Sequence, residues 1–93
     1  MTLERTNPIP RPKRGDRLEF VRGTAKLHAY VVAVYGWKDA LDGLGTKRAV
    51  DDFVRKQGER LGGAWQELFW SAEVEIDGGV EAVDCMQAVS NLG

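Results

Sequence analysis

Residues 25–35, with the sequence AKLHAYVVAVY, constrain the fold of this chain more than any other segment. The segment is rich in valine and tyrosine, which favour β-strands. Side chains alternate between the two faces of a strand, and from Tyr30 onward both faces carry apolar groups. This pattern is typical of a central strand that is covered on both sides. We therefore predict a small sheet built around residues 25–35.

Two further segments alternate in the same way and predict neighbouring strands. Residues 17–22 place Leu18 and Phe20 on one face. Residues 64–77 predict a third strand with one apolar face. The opposite face of this third strand carries acidic side chains, which form a candidate acidic surface: Glu67, Glu73 and Glu75.

Residues 46–61 carry a helical pattern, because apolar residues recur there at spacings of three and four. Thr46 suits the N-cap position, and the pair of glycines at 62–63 ends the pattern. We predict a helix that packs its apolar face against the sheet, with these side chains in contact: Val50, Phe53, Val54 and Leu61.

Residues 80–92 leave two alternatives open. The spacing of Val83, Met86 and Val89 favours a helix, whereas the Asp-Gly pair just before the segment is a hairpin signal and favours a strand. We predict the helix. The order of elements is then β-β-α-β-α, an α+β fold with a small antiparallel or mixed sheet and one or two packed helices, forming a single domain of residues 15–93.

Residues 1–14 precede this domain and contain all three prolines, at alternate positions. Alternating prolines favour an extended backbone and disfavour helix. The segment also has too few large apolar side chains to form a core. We predict an extended basic arm that is stiffened against folding back on its own domain. The candidate interaction residues of the arm and of the strand that follows it are Arg5, Arg11, Lys13, Arg14 and Arg17.

Charge is divided unevenly along the chain. Residues 1–26 carry seven basic and three acidic side chains, whereas residues 27–93 carry six basic and eleven acidic ones. No basic residue follows Arg60. Blocks of like charge often mark interaction surfaces, although a solvated tail and a solvated face would give the same pattern.

Three aromatic side chains fall where a core residue is not expected. Trp37 lies in a glycine-rich loop, and Trp65 and Phe69 fall on the acidic face of the third predicted strand. Tryptophan is enriched among the residues that dominate protein interfaces. We predict that these three are interface aromatics. The alternative is that a helix covers them.

The chain offers little for catalysis or metal binding. Its single cysteine, Cys85, cannot form an internal disulfide, and together with its single histidine, His28, it cannot supply the four N or S ligands of a closed zinc site. No cation lies near Cys85 in sequence, and no carboxylate is spaced to orient the ring of His28. We expect both to be structural, with Cys85 buried and His28 partly buried. We also expect no catalytic residue, metal or cofactor.

The ends and composition of the chain predict a cytoplasmic location, or a virion location for a viral structural subunit. The N-terminus lacks the apolar core of a signal peptide. The longest apolar stretch, residues 29–35, is too short to span a membrane. A single cysteine suits a reducing compartment.

Two functional hypotheses follow. The first is a non-enzymatic protein-interaction module: a small structural or assembly subunit, such as a viral or phage component, or a protein inhibitor. It would bind a protein partner or itself, as a homo-oligomer, through the basic arm and the acidic, aromatic-bearing surface, with no membrane involved. The alternative is a nucleic-acid-binding protein that contacts phosphates through the basic residues of segment 5–26. The isoelectric point of about 5.8 favours the first hypothesis.

Overall fold

The computed structural model of the chain, which describes residues 8–93, contains five strands and three helices in that part of the chain. The strands are β1 (Arg17–Arg22), β2 (Ala25–Tyr35), β3 (Ser71–Ile76), β4 (Gly79–Asp84) and β5 (Ala88–Asn91). The helices are α1 (Trp37–Asp42), α2 (Lys47–Leu61) and α3 (Trp65–Leu68), all between β2 and β3. Every strand pair is antiparallel, and the α+β prediction is confirmed.

The order of the strands in the sheet is β4-β3-β2-β1-β5, so consecutive strands β4 and β5 lie at opposite ends. Only residues 85–87 connect them. The four residue steps from Asp84 to Ala88 extend at most about 14 Å, whereas the edge strands of a flat five-stranded sheet lie about 19 Å apart. The sheet therefore curls, bringing its two edges toward one another as in a barrel.

The concave, inner face of the sheet carries the core. Leu18 and Phe20 of β1 lie on this face with apolar residues of β2, β3 and β4, and the largest fully buried side chain is Trp70. At one end of the inner face, Arg22 of β1 forms an ion pair with Glu81 of β4. Two strands separate β1 from β4 in the sheet, so this ion pair crosses the concave side and is consistent with the curvature.

The helix predicted over residues 80–92 is wrong, because this segment forms β4, a turn and β5. The hairpin alternative is the correct one. Asp77 and Gly78 both have positive φ angles, of 52° and 80°, as a two-residue type I′ turn requires. The local turn geometry thus decides the structure, and the helical spacing of Val83, Met86 and Val89 is coincidental.

The strand predicted over residues 64–77 begins later than expected. Residues 65–68 form the short helix α3, and β3 begins only at Ser71. Trp65, Leu68 and Phe69 are spaced by three and four residues, so the same apolar pattern fits one helical turn as well as the beginning of a strand. Consequently Trp65 and Phe69 do not lie on the acidic face of the strand, and their predicted placement there is corrected.

The bounds and the N-cap of helix α2 agree closely with the prediction. The hydroxyl of Thr46 accepts a hydrogen bond from the amide of Ala49 at 3.1 Å, and Gly62 ends the helix with a φ angle of 86°. Phe53 and Leu61 pack on the core cluster. Val50 and Val54, however, are not among the residues that pack on this cluster, and Val54 is 37% exposed, so these two predicted contacts are wrong.

We predict that Phe53→Ala lowers the free energy of unfolding by about 3–5 kcal/mol, because the ring is packed against other aromatic rings and its loss leaves a cavity. Val54→Ala, one position further along α2, is the matched control and should cost less than about 1 kcal/mol, since this side chain is exposed. Urea unfolding measures both values. Equal losses for the two variants would contradict the assigned helix face.

Candidate functional site

The described part of the arm, residues 8–14, lies against its own domain. Pro8 and Pro12 are buried, and Ile9 packs on the core. The indole Nε1 of Trp70 donates a hydrogen bond to the carbonyl oxygen of Ile9 at 2.9 Å. The expectation that the prolines prevent folding back is therefore corrected for residues 8–12: an extended backbone presents its carbonyls and proline rings to the domain surface. Arg5, which was also predicted as an interaction residue of the arm, lies outside the described residues.

A tight turn connects the arm to β1 and presents two cations. The turn spans residues 13–16, with Gly15 at a φ angle of 94°. The amide of Asp16 donates to the carbonyl of Lys13 at 3.0 Å, and the carboxylate of Asp16 accepts from the amide of Lys13 at 2.9 Å. This backbone hydrogen bond, with a second from the side chain of Asn91, lowers the pKa of Asp16. Lys13 and Arg14 are exposed on this turn.

The outer face of the sheet carries an exposed apolar row along β2. We call Tyr30, Val32 and Tyr35 the β2 row; they are 53%, 37% and 37% exposed. The pairing of β2 with β3 shifts register between Val31 and Ala33, so Val32 is an extra residue at a bulge. Sequence analysis predicted cover on both sides of β2. The exposure of the β2 row shows that residues 8–93 leave the outer side open.

Cations line one side of the β2 row. Arg17 lies opposite Tyr30 on β1, and the turn before β1 is hydrogen-bonded to Val31 through the amide of Gly15 at 2.8 Å. Further along, the guanidinium of Arg11 lies close to the backbone of Gly36, at the end of β2. Among the described residues none of these cations forms an ion pair, and we call them the basic side: Arg11, Lys13, Arg14 and Arg17.

Carboxylates line the other side of the β2 row. Glu75 of β3 lies opposite Tyr30, and Glu73 lies opposite Ala33; both are exposed, and we call them the acidic side. The hydroxyl of Tyr35 donates to Glu73 at 3.3 Å, and the negative charge of Glu73 raises the pKa of Tyr35. Beyond Glu75, Val80 of β4 is 63% exposed and forms a second apolar patch on the same face, separated from the β2 row by the acidic side.

The charges at the opposite end of β2 are balanced locally. Glu19 of β1 lies 3.9 Å from the amine of Lys26 and 3.9 Å from Nε2 of His28. His28 is exposed, so the expectation that it is partly buried is corrected. The unpaired charges of the outer face are therefore concentrated around the part of β2 that follows His28.

The predicted interface aromatics belong to a separate cluster at the helices. Trp37 and Trp65 pack edge to face with ring centroids 5.8 Å apart. Phe53 packs against Trp65 at 6.0 Å and against Phe69 at 5.3 Å. Phe69 is buried, whereas Trp37 and Trp65 are partly buried. A helix thus covers part of this group, and a role of Trp37 and Trp65 in binding stays a prediction.

The third predicted acidic residue, Glu67, is not part of the acidic side. It lies on α3, exposed and apart from the strand that carries Glu73 and Glu75. The later beginning of β3 explains this separation. The structure therefore brings together two of the three predicted acids and adds residues that sequence analysis did not propose as a site, namely Tyr30, Val32 and Val80.

Other reactive groups do not converge in the described residues. Cys85 is buried as expected, and burial raises its pKa to about 11. Residues 8–93 contain no group of three histidine, cysteine, aspartate or glutamate side chains placed to hold a metal ion, and no ligand-sized pocket is found. None of the helices described in these residues is long and apolar enough to cross a membrane.

Comparison with family models, with curated proteins and with solved structures gave no match for this chain.

One partly exposed ion pair joins α2 to the end of β4, where the connection between the sheet edges begins. Arg60 contacts both carboxylate oxygens of Asp84, at 2.5 Å and 3.2 Å. Burial alone would raise the pKa of Asp84, but the hydrogen bonds from Arg60 and from the amide of Met86 outweigh burial, and the pKa is lowered.

We predict that the free energy of unfolding falls as the pH drops below about 4. Because folding lowers the pKa of Asp84, its carboxylate stabilises the folded state fully above the pKa it has in the unfolded chain, and this stabilisation is lost as the pH falls through the lowered pKa of the folded state. Asp84→Asn should reduce stability at neutral pH and flatten this dependence. Asp51→Asn, which removes an exposed pair with Lys47, is the control and should leave the pH profile unchanged. Urea unfolding from pH 7 to pH 3 tests this; a wild-type slope in Asp84→Asn would contradict it.

Proposed function

We propose that the protein is a non-enzymatic protein-interaction module that binds a protein partner through the outer face of its sheet. The observation that carries this proposal is the exposure of the β2 row, which lies on a strand whose sequence is apolar on both faces. Val80 of β4 adds exposed apolar area on the same face of the sheet. Contiguous exposed apolar surface rimmed by polar residues often marks a protein interface. A small structural or assembly subunit, or an inhibitor, would use such a face.

The composition of this face suits a protein partner. Two tyrosines and two valines offer apolar area, and tyrosine is enriched at protein interfaces. The surrounding cations and carboxylates supply charges of both signs, which give orientation and specificity to an encounter. A protein surface can match both signs at once, whereas a polyanion can match only one.

The alternative, nucleic-acid binding, is favoured by one observation: the basic side has no ion pair among the described residues, so its cations are available to phosphates. The acidic side limits this alternative. Arg17 and Glu75 lie on strands separated only by β2, about 10 Å apart. A phosphate backbone contacting Arg17 would therefore be repelled by Glu75.

Purification without nuclease separates the two functions. We expect a protein free of nucleic acid by its absorbance at 260 and 280 nm, with a mass by light scattering above that of the monomer or with a co-purified protein. The double variant Tyr30→Ser, Val32→Ser should lose this association while remaining folded. Val54→Ser, which changes an exposed valine of α2, should retain it.

A different outcome would support nucleic-acid binding. Nucleic acid that stays bound to the double variant, and is released when Arg11, Lys13 and Arg14 are changed to glutamate, would replace the proposed function by the alternative. A monomer that binds neither class of molecule would contradict both.

A further inference from the structure

We propose that the partner is a second copy of this chain, packed face to face about a two-fold axis that runs parallel to β2; this rests on the proposed function of the outer face. The β2 row would lie at the centre of the interface. The basic side of each copy would lie over the acidic side of the other.

Tyr30 lies between opposite charges on the two neighbouring strands. The residue has a cation on one neighbouring strand, Arg17, and a carboxylate on the other, Glu75, both directly opposite it in the register of the sheet. The basic side lies on the β1 flank of β2, and the acidic side lies on the β3 flank. The face is therefore divided along β2, with opposite charges on its two flanks and an apolar row between them.

The symmetry follows from this division. Rotation by 180° about an axis parallel to β2 exchanges the two flanks, so that Arg17 of each copy faces Glu75 of the other. An axis in the same plane but perpendicular to β2 leaves each flank over itself and opposes like charges, which is unfavourable. A two-fold axis also makes the interface self-complementary, as is usual in homodimers. Among face-to-face arrangements, electrostatics selects the axis along β2.

The same axis determines which side chains meet their own copies. Such an axis runs between the two sheets and directly over β2, so Tyr30 and Val32 would each face their own counterparts across the interface. A perpendicular axis would cross β2 at one point only, and at most one of the two residues could meet its counterpart there. Facing sheets pack about 10 Å apart, which is beyond the Cα separation of about 7 Å that a disulfide can bridge but within reach of a short bismaleimide that links two thiols.

The interface of the proposed dimer is small, so the dimer should be weak. The face spans three strands and is curved, so it buries less than the roughly 800 Å² per partner of a standard interface. We therefore expect a reversible dimer that forms at low salt and high protein concentration. Raising the salt from 0.1 M to 1 M shortens the Debye length from about 10 Å to about 3 Å and should weaken the dimer.

Charge reversal of the full-length chain tests the pairing by sedimentation equilibrium. Arg17→Glu alone and Glu75→Arg alone should each weaken the dimer at least about tenfold, since each places like charges opposite one another. An equimolar mixture of the two variants should recover the association, because both contacts are then restored between unlike copies. Glu67→Arg on α3 is the matched control for charge and should dimerise like the wild type.

Cysteine crosslinking tests the axis. Tyr30→Cys and Val32→Cys should each form a covalent dimer with a short bismaleimide at low salt, while the buried Cys85 stays unreactive and Lys56→Cys on α2 stays monomeric. Crosslinking of only one of the two β2 variants, or of neither, would overturn the proposed axis.

The outcomes also separate this inference from the proposed function. A wild-type chain that is monomeric at every concentration, or a mixture of charge variants that does not recover association, overturns the second copy as partner. If such a chain still binds a different protein through Tyr30 and Val32, the proposed function stands and only the self-association fails. If it binds RNA or DNA instead, both fail.

Discussion

The short connection between β4 and β5 is the constraint on which the rest of the structure depends. Three residues join two strands that lie at opposite edges of the sheet, so the sheet must curl. Curling encloses Leu18, Phe20 and Trp70 on the concave side, and one modest core is then sufficient. Arg60 holds Asp84 at the beginning of the connection, while Arg22 and Glu81 pair across the concave side. Charged contacts thus maintain a curvature that chain length imposes.

The described part of the arm, residues 8–14, both packs on the domain and presents cations to solvent. Its backbone and prolines are part of the domain, since Ile9 accepts a hydrogen bond from Trp70 and Pro12 is buried. Its cations Arg11, Lys13 and Arg14 form no ion pair among the described residues and are exposed. Deleting the segment would therefore remove packing together with charge. Substituting side chains such as Arg11 and Lys13, which leaves the backbone in place, separates the two contributions.

The sequence predicts those features that local chemistry determines. Alternation, a threonine cap and a terminal glycine were sufficient to place β1, β2 and α2, and alternation also placed Glu73 and Glu75 on the exposed face of β3. The prediction failed where one apolar spacing fits two structures: Trp65, Leu68 and Phe69 fit a strand or a helical turn, and Val83 and Met86 fit a helix or a hairpin. Such ambiguity is resolved by contacts distant in sequence, such as the packing of Phe53 on Trp65 and Phe69, which periodicity does not contain.

The most informative disagreement concerns the outer side of β2. Apolar residues on both faces of β2 predicted a strand covered on both sides, but in the structure the core covers only the inner face. The three helices all belong to one connection, between β2 and β3, and their aromatic side chains pack on one another and on the core rather than over Tyr30 and Val32. Residues 8–93 thus have no further element with which to cover this face. Only another surface could cover this face. The opposite charges on the two flanks of β2 favour a surface that places carboxylates over the basic side and cations over the acidic side. The same face of a second copy, rotated by 180° about an axis parallel to β2, meets that requirement.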